Sequence, residues 1–309
     1  MDPLTTAQIA WGFLADPGDP LARALCEAWG PEKALGLVTG SGTSAAVFAG
    51  LGRASHPLDG SHLRHWRARY HPDEVARSYH LQQRAGIEVL DSSHRAWPTT
   101  MNDLGPSAPL SLWVRGNPTI WAAHPVSLAV VGSRRPTGAG LGHTTSIVQG
   151  AWCDTVAIVS GGATGIDTVA HHAALVHDRV PLVVLAGGLD AVYPAENVAL
   201  MNRIAERGAL YSEAPCGMRV KPEKFLARNR LIAALANAVV VVEAAHRSGA
   251  INTAYHAAGL GREVGVVPGR WEDRHAKGCF RLARDLGARI LTEAEDVRLL
   301  LPGLQEVHA

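Results

Sequence analysis

The sequence lacks a large net charge and closely spaced cysteines. Its 309 residues hold 29 Lys and Arg against 28 Asp and Glu, so the formal net charge at pH 7 is only +1. Binding of a polyanion would therefore depend on local clusters of basic side chains. The four cysteines, Cys26, Cys153, Cys216 and Cys279, are scattered along the chain, which argues against a zinc knuckle and a disulfide framework. We predict no bound metal and a reducing compartment.

Signals for export and for a membrane are also missing. Residues 1–20 carry acids and prolines where a signal peptide has a basic start and an apolar run. The most apolar stretch, 231–245, is interrupted by Asn237 and is shorter than the roughly 20 residues that cross a bilayer. We predict a cytoplasmic protein with no membrane partner, and a buried helix leading into a buried strand at this stretch.

What the chain does contain divides into two parts. Residues 1–105 are rich in Trp, His, Arg and Pro with helical spacing, which predicts a small helical N-terminal domain. From 106 to 309, short β-branched runs alternate with helical patterns, as in a parallel sheet covered on both faces. The predicted fold class is α/β, an extended Rossmann-like, mostly parallel and doubly wound sheet preceded by the helical domain.

Two glycine-rich turns each follow a predicted strand and open into a helix. The first contains Gly132, Ser133 and Arg134, and the second is the segment 160–167, SGGATGID. Glycine allows close backbone approach, a helix N-terminus offers free N–H groups, and a guanidinium grips phosphate. A lone turn of this kind would be structural only, but two on adjacent strands favour a shared phosphate site.

Neither turn carries the residues of a familiar cofactor loop. No Gly-Lys-Ser/Thr follows, so the sequence does not support ATP hydrolysis. The run 138–142, GAGLG, has the wrong glycine spacing for a dinucleotide fingerprint. We therefore predict no nucleotide cofactor.

A basic segment, 218–230, reads MRVKPEKFLARNR. Its cations would follow a phosphate chain while Phe225 offers a face on which a base can stack. The alternative is a solvated surface with Phe225 in the core, which for Phe225 taken alone is at least as good an interpretation.

Other polar residues give weaker signals. The carboxylates Asp167, Asp190, Glu213 and Glu243 lie near strand ends, but no Ser/His/Asp ordering or nucleophile elbow accompanies them, which favours capping and structural hydrogen bonds over acid–base catalysis. The histidines 171, 172 and 177 lack the i, i+4 spacing of a helical metal site. We predict no catalytic residues.

Ordered segments between residues 112 and 269 resemble the bacterial DNA processing protein A family (DprA/Smf). They are LWVRGN, AVVGSRRPT, IVSGGATGIDTVAH, VVLAGGLDAVYPAEN, GALYSEAPCG, FLARNRLIAALA, VVVVEAAHRSGAINTA and GREVGVVPG. The resemblance implies an extended Rossmann fold that binds single-stranded DNA, protects strands during natural transformation and loads the RecA recombinase. It also implies a homodimer without established catalytic activity.

The sequence departs from that family pattern in three places. Leu226 stands where the family has proline before its Arg-Asn-Arg, and DPGDPLARALCEAWG replaces a helix-hairpin turn. The chain stops near residue 309, so we expect no C-terminal winged helix.

The residues predicted to hold the strand come from the two turns, the basic segment and the turn after VVVVEA. They are Gly132, Ser133, Arg134, Ser160, Gly161, Gly162, Gly165, Lys221, Lys224, Phe225, Arg228, Asn229, Arg230, Ser248 and Gly249. We expect Arg134, Arg228 and Arg230 to neutralise phosphates that cross the two glycine turns.

Two rival functions stay open at this level. One is a nucleoside-monophosphate phosphoribohydrolase of the LOG type, although its Pro-Gly-Gly-x-Gly-Thr-x-x-Glu motif is missing and SGGATGID offers only Asp167. The other is a sensor that binds one small nucleotide. Release of free base would favour the first, and tight binding of a mononucleotide would favour the second.

Overall fold

The computed structural model of the protein describes residues 2–43, 47, 60–124, 126–150 and 156–301. Cys153 and residues 302–309 lie outside these ranges, so the expectations placed on them are not addressed by the structure. The other three cysteines are free thiols. No helix in the described part of the chain combines the length and the apolar character that crossing a bilayer would need.

The N-terminal part is helical, as predicted. Its helices in the described ranges are α1 (Pro3–Leu14), α2 (Pro20–Trp29), α3 (Pro31–Thr39), α4 (Gly60–Arg69) and α5 (Pro72–Arg84). Asp2 and Asp19 cap α1 and α2 by accepting hydrogen bonds from backbone N–H groups, each directly before a proline. The first four helices pack around Trp11 and Trp66, whose rings meet edge to face at 5.4 Å, and α5 joins the cluster of Ile9 and Ala10 through Val75.

The rest of the described chain forms a nine-stranded sheet and the helices that connect its strands. Its strands are β1 (Glu88–Leu90), β2 (Leu112–Gly116), β3 (Val126–Val131), β4 (Val156–Ser160), β5 (Val180–Leu185), β6 (Ala209–Ser212), β7 (Ala238–Val241), β8 (Glu263–Val266) and β9 (Arg289–Ile290). Their order in the sheet is β1-β2-β6-β5-β4-β3-β7-β8-β9, antiparallel on both sides of β2 and parallel from β6 to β9. The predicted fold class is confirmed.

The helices that connect the parallel strands are α6 (Gly138–Gln149), α7 (Ile166–Val176), α8 (Val198–Arg207), α9 (Pro222–Leu235), α10 (Gly249–Gly259) and α11 (Lys277–Leu286). In the described ranges, 3₁₀ segments lie between β1 and β2 (Thr99–Ser107), directly before α8 (Ala195–Asn197) and after β9 (Ala294–Leu300). The apolar stretch 231–245 spans the buried end of α9 and the buried strand β7, as predicted.

The sheet begins earlier in the chain than the predicted boundary between residues 105 and 106. Strand β1 pairs with β2 through Val89 and Trp113, so three residues assigned to the helical domain belong to the sheet. Because β1 is so short and one of its residues is acidic, it shows no apolar run that sequence patterning would detect.

The strand order places a topological switch point at β3. From β3 the chain moves outward through β4, β5 and β6, and it then returns to β7 on the opposite side of β3. Loops that follow β3 and β7 therefore diverge and leave a crevice at the carboxyl ends of the strands, where open α/β sheets bind their ligands.

Candidate functional site

The two glycine turns pack directly against each other at this crevice. The backbone N–H of Ile166 donates to the carbonyl oxygen of Ser133 at 3.1 Å. Gly165 has φ +88°, and a Cβ on it would overlap that same carbonyl. A Cβ on Gly132 would lie 2.8 Å from the Ile166 side chain. The glycines are therefore required by the contact between the turns, which form one continuous surface.

Two carboxylates of the protein already occupy backbone donors at these turns. Asp167 accepts from the N–H groups of Gly161 at 3.2 Å and Ala163 at 3.3 Å. Glu243 accepts from the N–H of Thr137, at the start of α6, at 3.0 Å. Both residues make structural hydrogen bonds, as predicted, but neither caps a helix, since Thr137 caps α6 and α7 has no side-chain cap. Because these donors are occupied, negative ligands would depend more on side-chain cations than on the turn amides.

Arg228 forms the floor of the crevice. Its guanidinium is buried and donates to the carbonyl oxygens of Gly161, at 2.6 Å, and of Val184. A Cβ on Gly161 would lie 2.6 Å from one of its nitrogens, so only glycine leaves room for it. Burial lowers the pKa of Arg228 to about 10, against the opposing attraction of Asp167. Burial likewise raises the pKa of Asp167, while Arg228 opposes that rise.

Asn229 fixes the neighbouring helix. Its amide nitrogen donates to the carbonyl oxygen of Gly249 and to the side chain of Asn252, both at 3.1 Å. Ser248 caps α10 by accepting from the N–H of Ala250. The N-terminus of α10 is thus held at the crevice, beside the middle of α9.

Aromatic and cationic side chains build the exposed wall. The Arg134 guanidinium lies 4.9 Å from the centre of the Phe225 ring, and Tyr193 meets that ring at 5.9 Å with planes tilted by 57°. Arg134 is exposed, Phe225 is half-buried and Tyr193 is 55% exposed. Phe225 therefore lies on the wall of the crevice rather than in the hydrophobic core.

Together these residues line an open groove of about 590 Å³. A smaller pocket of about 160 Å³ continues from it beyond Arg134 and Phe225, between the turns that follow β4 and β5. The exposed cations at the groove are Arg134 and Arg247. We refer to the larger space as the groove and to the smaller as the side pocket.

Sequence reasoning missed Arg247 and Tyr193. Arg247 follows β7 in the turn AHRSG, and a basic residue directly before a predicted anion-binding turn was the available signal. Tyr193 comes from the loop after β5, and only the tertiary structure brings it to Phe225.

The structure places the predicted site residues in two groups. At the groove or the side pocket lie Gly132, Ser133, Arg134, Gly161, Phe225, Arg228, Asn229, Ser248 and Gly249. Elsewhere lie Ser160, Gly162, Gly165, Lys221, Lys224 and Arg230. Ser160, for example, is fully buried and donates through its hydroxyl to the carbonyl oxygen of Val130 at 2.7 Å.

Arg230 differs most from its predicted role as a phosphate ligand. Its side chain is 7% exposed and pairs with Glu213 at 2.7 Å. It also donates to the carbonyl oxygens of Ser107 at 3.0 Å and Ala227 at 3.2 Å. Side chains two residues apart on a helix point to nearly opposite sides, so Arg230 faces away from the groove that Arg228 lines.

Lys224 faces a different space from the groove. It lines a cavity of about 40 Å³ between α1 and the sheet, and burial lowers its pKa. Among the described residues, no group of His, Cys, Asp and Glu has the arrangement of a metal site.

The chain is similar to known proteins over most of its length. The family model of DNA recombination-mediator protein A matches residues 88–302. A protein of Mycobacterium tuberculosis described as a putative DNA processing protein DprA is 38% identical over 301 residues, covering 93% of this chain and 73% of that protein.

Two solved structures are similar over their whole length. The X-ray structure of DNA processing protein A from Streptococcus pneumoniae superposes with a TM-score of 0.76 at 25% identity, covering 97% of this chain and 98% of that one. A structure of DNA processing protein A from Helicobacter pylori, reported for its single-stranded DNA binding mode, gives a TM-score of 0.62 at 27% identity, covering 70% and 96%.

Proposed function

The chain belongs to the DNA recombination-mediator protein A family, and from this we propose that it binds single-stranded DNA in the groove at the switch point of its sheet. The observation that carries the proposal is the pairing of the exposed Arg134 with the half-buried Phe225 ring at 4.9 Å. A cation for the phosphate thus lies over an aromatic ring for the base, and single-strand grooves use both kinds of group.

The backbone of the strand would follow the exposed cations. Arg134 and Arg247 stand on the turns after β3 and β7, on the two sides of the switch point. The buried Arg228 adds positive potential from below, partly offset by Asp167. Because the protein has a net charge of only +1, this local concentration supplies the attraction, and binding should weaken as salt rises.

Preference for a single strand follows from the shape of the site. The side pocket lies beside the Phe225 ring and is much smaller than the groove, about 160 against 590 Å³, so we expect it to take one unstacked base rather than a base pair. The guanidinium of Arg134 covers one face of Phe225, so a base that stacks on that face has to displace it. Such contacts are available to a flexible strand and not to a stacked duplex.

The finer parts of the proposal follow the family. We infer protection of incoming strands and RecA loading in natural transformation, a homodimer, and a cytoplasmic location. The Helicobacter pylori relative, described by its single-stranded DNA binding mode, supports the binding of a single strand, and the remaining points rest on family membership alone. A homodimer would place two grooves on one strand and raise the apparent affinity through effective concentration.

The test is fluorescence anisotropy of a labelled oligothymidine over a salt series, with duplex as competitor. Arg134→Ala should weaken binding and lower the slope of log affinity against log salt by about 0.7, the value for one lost phosphate contact with a single strand. Arg207→Ala is the matched control, because Arg207 ends α8 beside the amino end of β6 and pairs with Asp178. Its slope should equal that of the wild type.

Two results would overturn the proposal. One is equal binding of duplex and single strand, and the other is absence of oligonucleotide binding at low salt. In the second case, release of free base from a nucleoside monophosphate or saturable binding of a mononucleotide would identify the enzyme or the sensor instead.

A further inference from the structure

The loop that follows β8, residues 267–276, carries an exposed tryptophan at its tip. Trp271 is 75% exposed, whereas the other tryptophans of the described ranges are buried or half-buried. A single exposed apolar side chain is common on protein surfaces. The loop around Trp271, however, is held by internal contacts and carries several exposed cations.

The loop holds Trp271 in a defined position. Lys277 donates through its ammonium group to the carbonyl oxygen of Trp271. The carboxylate of Asp273 accepts from the N–H of His275 at 2.8 Å. A Cβ on Gly269 would lie 2.7 Å from the Cβ of Ala276, so the two ends of the loop are in close contact. A compact loop of this kind presents its tip without a large loss of entropy on binding.

The loop lies beside the groove. Strand β8 is the neighbour of β7, and the backbone of Ala244 in the turn after β7 bonds to His275 at 2.8 Å and Gly278 at 2.7 Å. That same turn carries Arg247 at the groove. Two strand spacings, about 10 Å in total, separate β3 at the centre of the groove from β8. The turn that carries Arg247 therefore lies between the groove and the loop of Trp271.

The charges around Trp271 favour an anionic partner. Arg270, Arg274 and Lys277 are all exposed, against one exposed carboxylate at Glu272. The negative charge of Asp273 is partly offset because its carboxylate accepts a hydrogen bond from the backbone N–H of His275 in the same loop. An exposed indole among cations matches a base and its phosphates better than it matches an apolar protein surface.

We propose that Trp271 is a second stacking platform for single-stranded DNA, outside the groove on the β7 side. Bases that leave the groove past Arg247 rest on the indole, and Arg270 and Arg274 pair with their phosphates. This inference rests on the proposed function, since it extends the path of the same strand. It predicts that the footprint is longer than the groove alone.

The experiment compares oligothymidines of about 4 and about 16 nucleotides, the limits of common single-strand site sizes. Trp271→Ala should leave the affinity for the short strand unchanged and lower that for the long strand by about 5- to 150-fold, the range for one lost base stack. Trp271→Phe should retain most of the affinity because it keeps an aromatic face. Arg270→Ala should reduce the salt slope by about 0.7 for the long strand only.

The outcomes separate this inference from the proposed function. If neither oligonucleotide binds the wild type, the groove itself is not a strand site and both proposals fail. If the short strand binds and Trp271→Ala leaves the long-strand affinity unchanged, only the platform is refuted. Light scattering of the free variants is the further control: conversion of a wild-type dimer to monomer by Trp271→Ala would assign the tryptophan to self-association and overturn the platform.

Discussion

Replacement of Arg230 by alanine should lower the free energy of unfolding without removing a phosphate contact. The guanidinium is 7% exposed, and its partner Glu213 is 16% exposed. Three of its nitrogens donate, to Glu213, Ser107 and Ala227. Alanine would leave the Glu213 carboxylate buried with only the N–H of Gly18 at 3.3 Å as donor. Breaking a buried pair from one side costs about 3–5 kcal/mol.

The contacts also explain why the loss should be larger than for a surface pair. Arg230 joins α9 to the loop at Gly18, and a Cβ on Gly18 would lie 3.0 Å from the arginine. The other oxygen of Glu213 is buried without a hydrogen-bond partner. Replacing both residues with apolar ones, as in Arg230→Met with Glu213→Leu, should recover much of the stability, because apolar substitution of a whole buried pair is often close to neutral.

The assay is urea unfolding of the wild type, of Arg230→Ala, of Glu213→Leu and of the double variant Arg230→Met with Glu213→Leu. Single-strand binding of the same proteins is measured over the same salt series. We expect a loss of about 3–5 kcal/mol for Arg230→Ala and a salt slope equal to that of the wild type. Arg134→Ala should give the opposite pattern, with stability kept and the slope reduced. A loss below about 1 kcal/mol together with a slope reduced by about 0.7 would refute the reasoning and return Arg230 to the strand.

Three further outcomes are expected. Gly165→Ala, at φ +88° and against the Ser133 carbonyl, should destabilise the protein by more than about 3 kcal/mol in urea unfolding. Gly30→Ala, at φ +75° with nothing within 4 Å, should lose only the backbone strain of about 1–3 kcal/mol, and equal losses would contradict the contact. Phe225→Leu should weaken oligothymidine binding by about 1–3 kcal/mol with no change of salt slope. Val176→Ala, 69% exposed at the end of α7 and outside the groove, should bind as the wild type does, and a reversed order would place the base elsewhere. Burial lowers the pKa of His171 from 6.5 to about 3, so its contribution to stability is complete above pH 6.5 and is lost as the pH falls toward 3, by roughly 2 kcal/mol at pH 5. Between pH 7 and pH 5, His171→Leu should therefore lose less stability than the wild type in urea unfolding. Equal losses would exclude the histidine as the cause.

Much of the site could be predicted because it is local in sequence. A glycine turn after an apolar strand marks the carboxyl edge of a parallel sheet, so the positions of Gly132 and Gly161 followed from patterning alone. The buried course of the chain from α9 into β7 followed from its apolar composition. The sequence does not decide whether Phe225 lies in the core or on a binding surface, since a single aromatic residue carries no signal for its exposure.

The sequence by itself determined the α/β class, the helical N-terminal part and the turns at which the groove lies, because strand and helix periodicity and glycine turns are properties of neighbouring residues. Only the tertiary structure decided that Arg134 faces the groove while Arg230 is buried against Glu213, that Tyr193 joins Phe225, and that β1 enters the sheet. Each of these depends on which distant segment packs against the residue, and burial converts the same guanidinium from a ligand of phosphate into part of the internal structure.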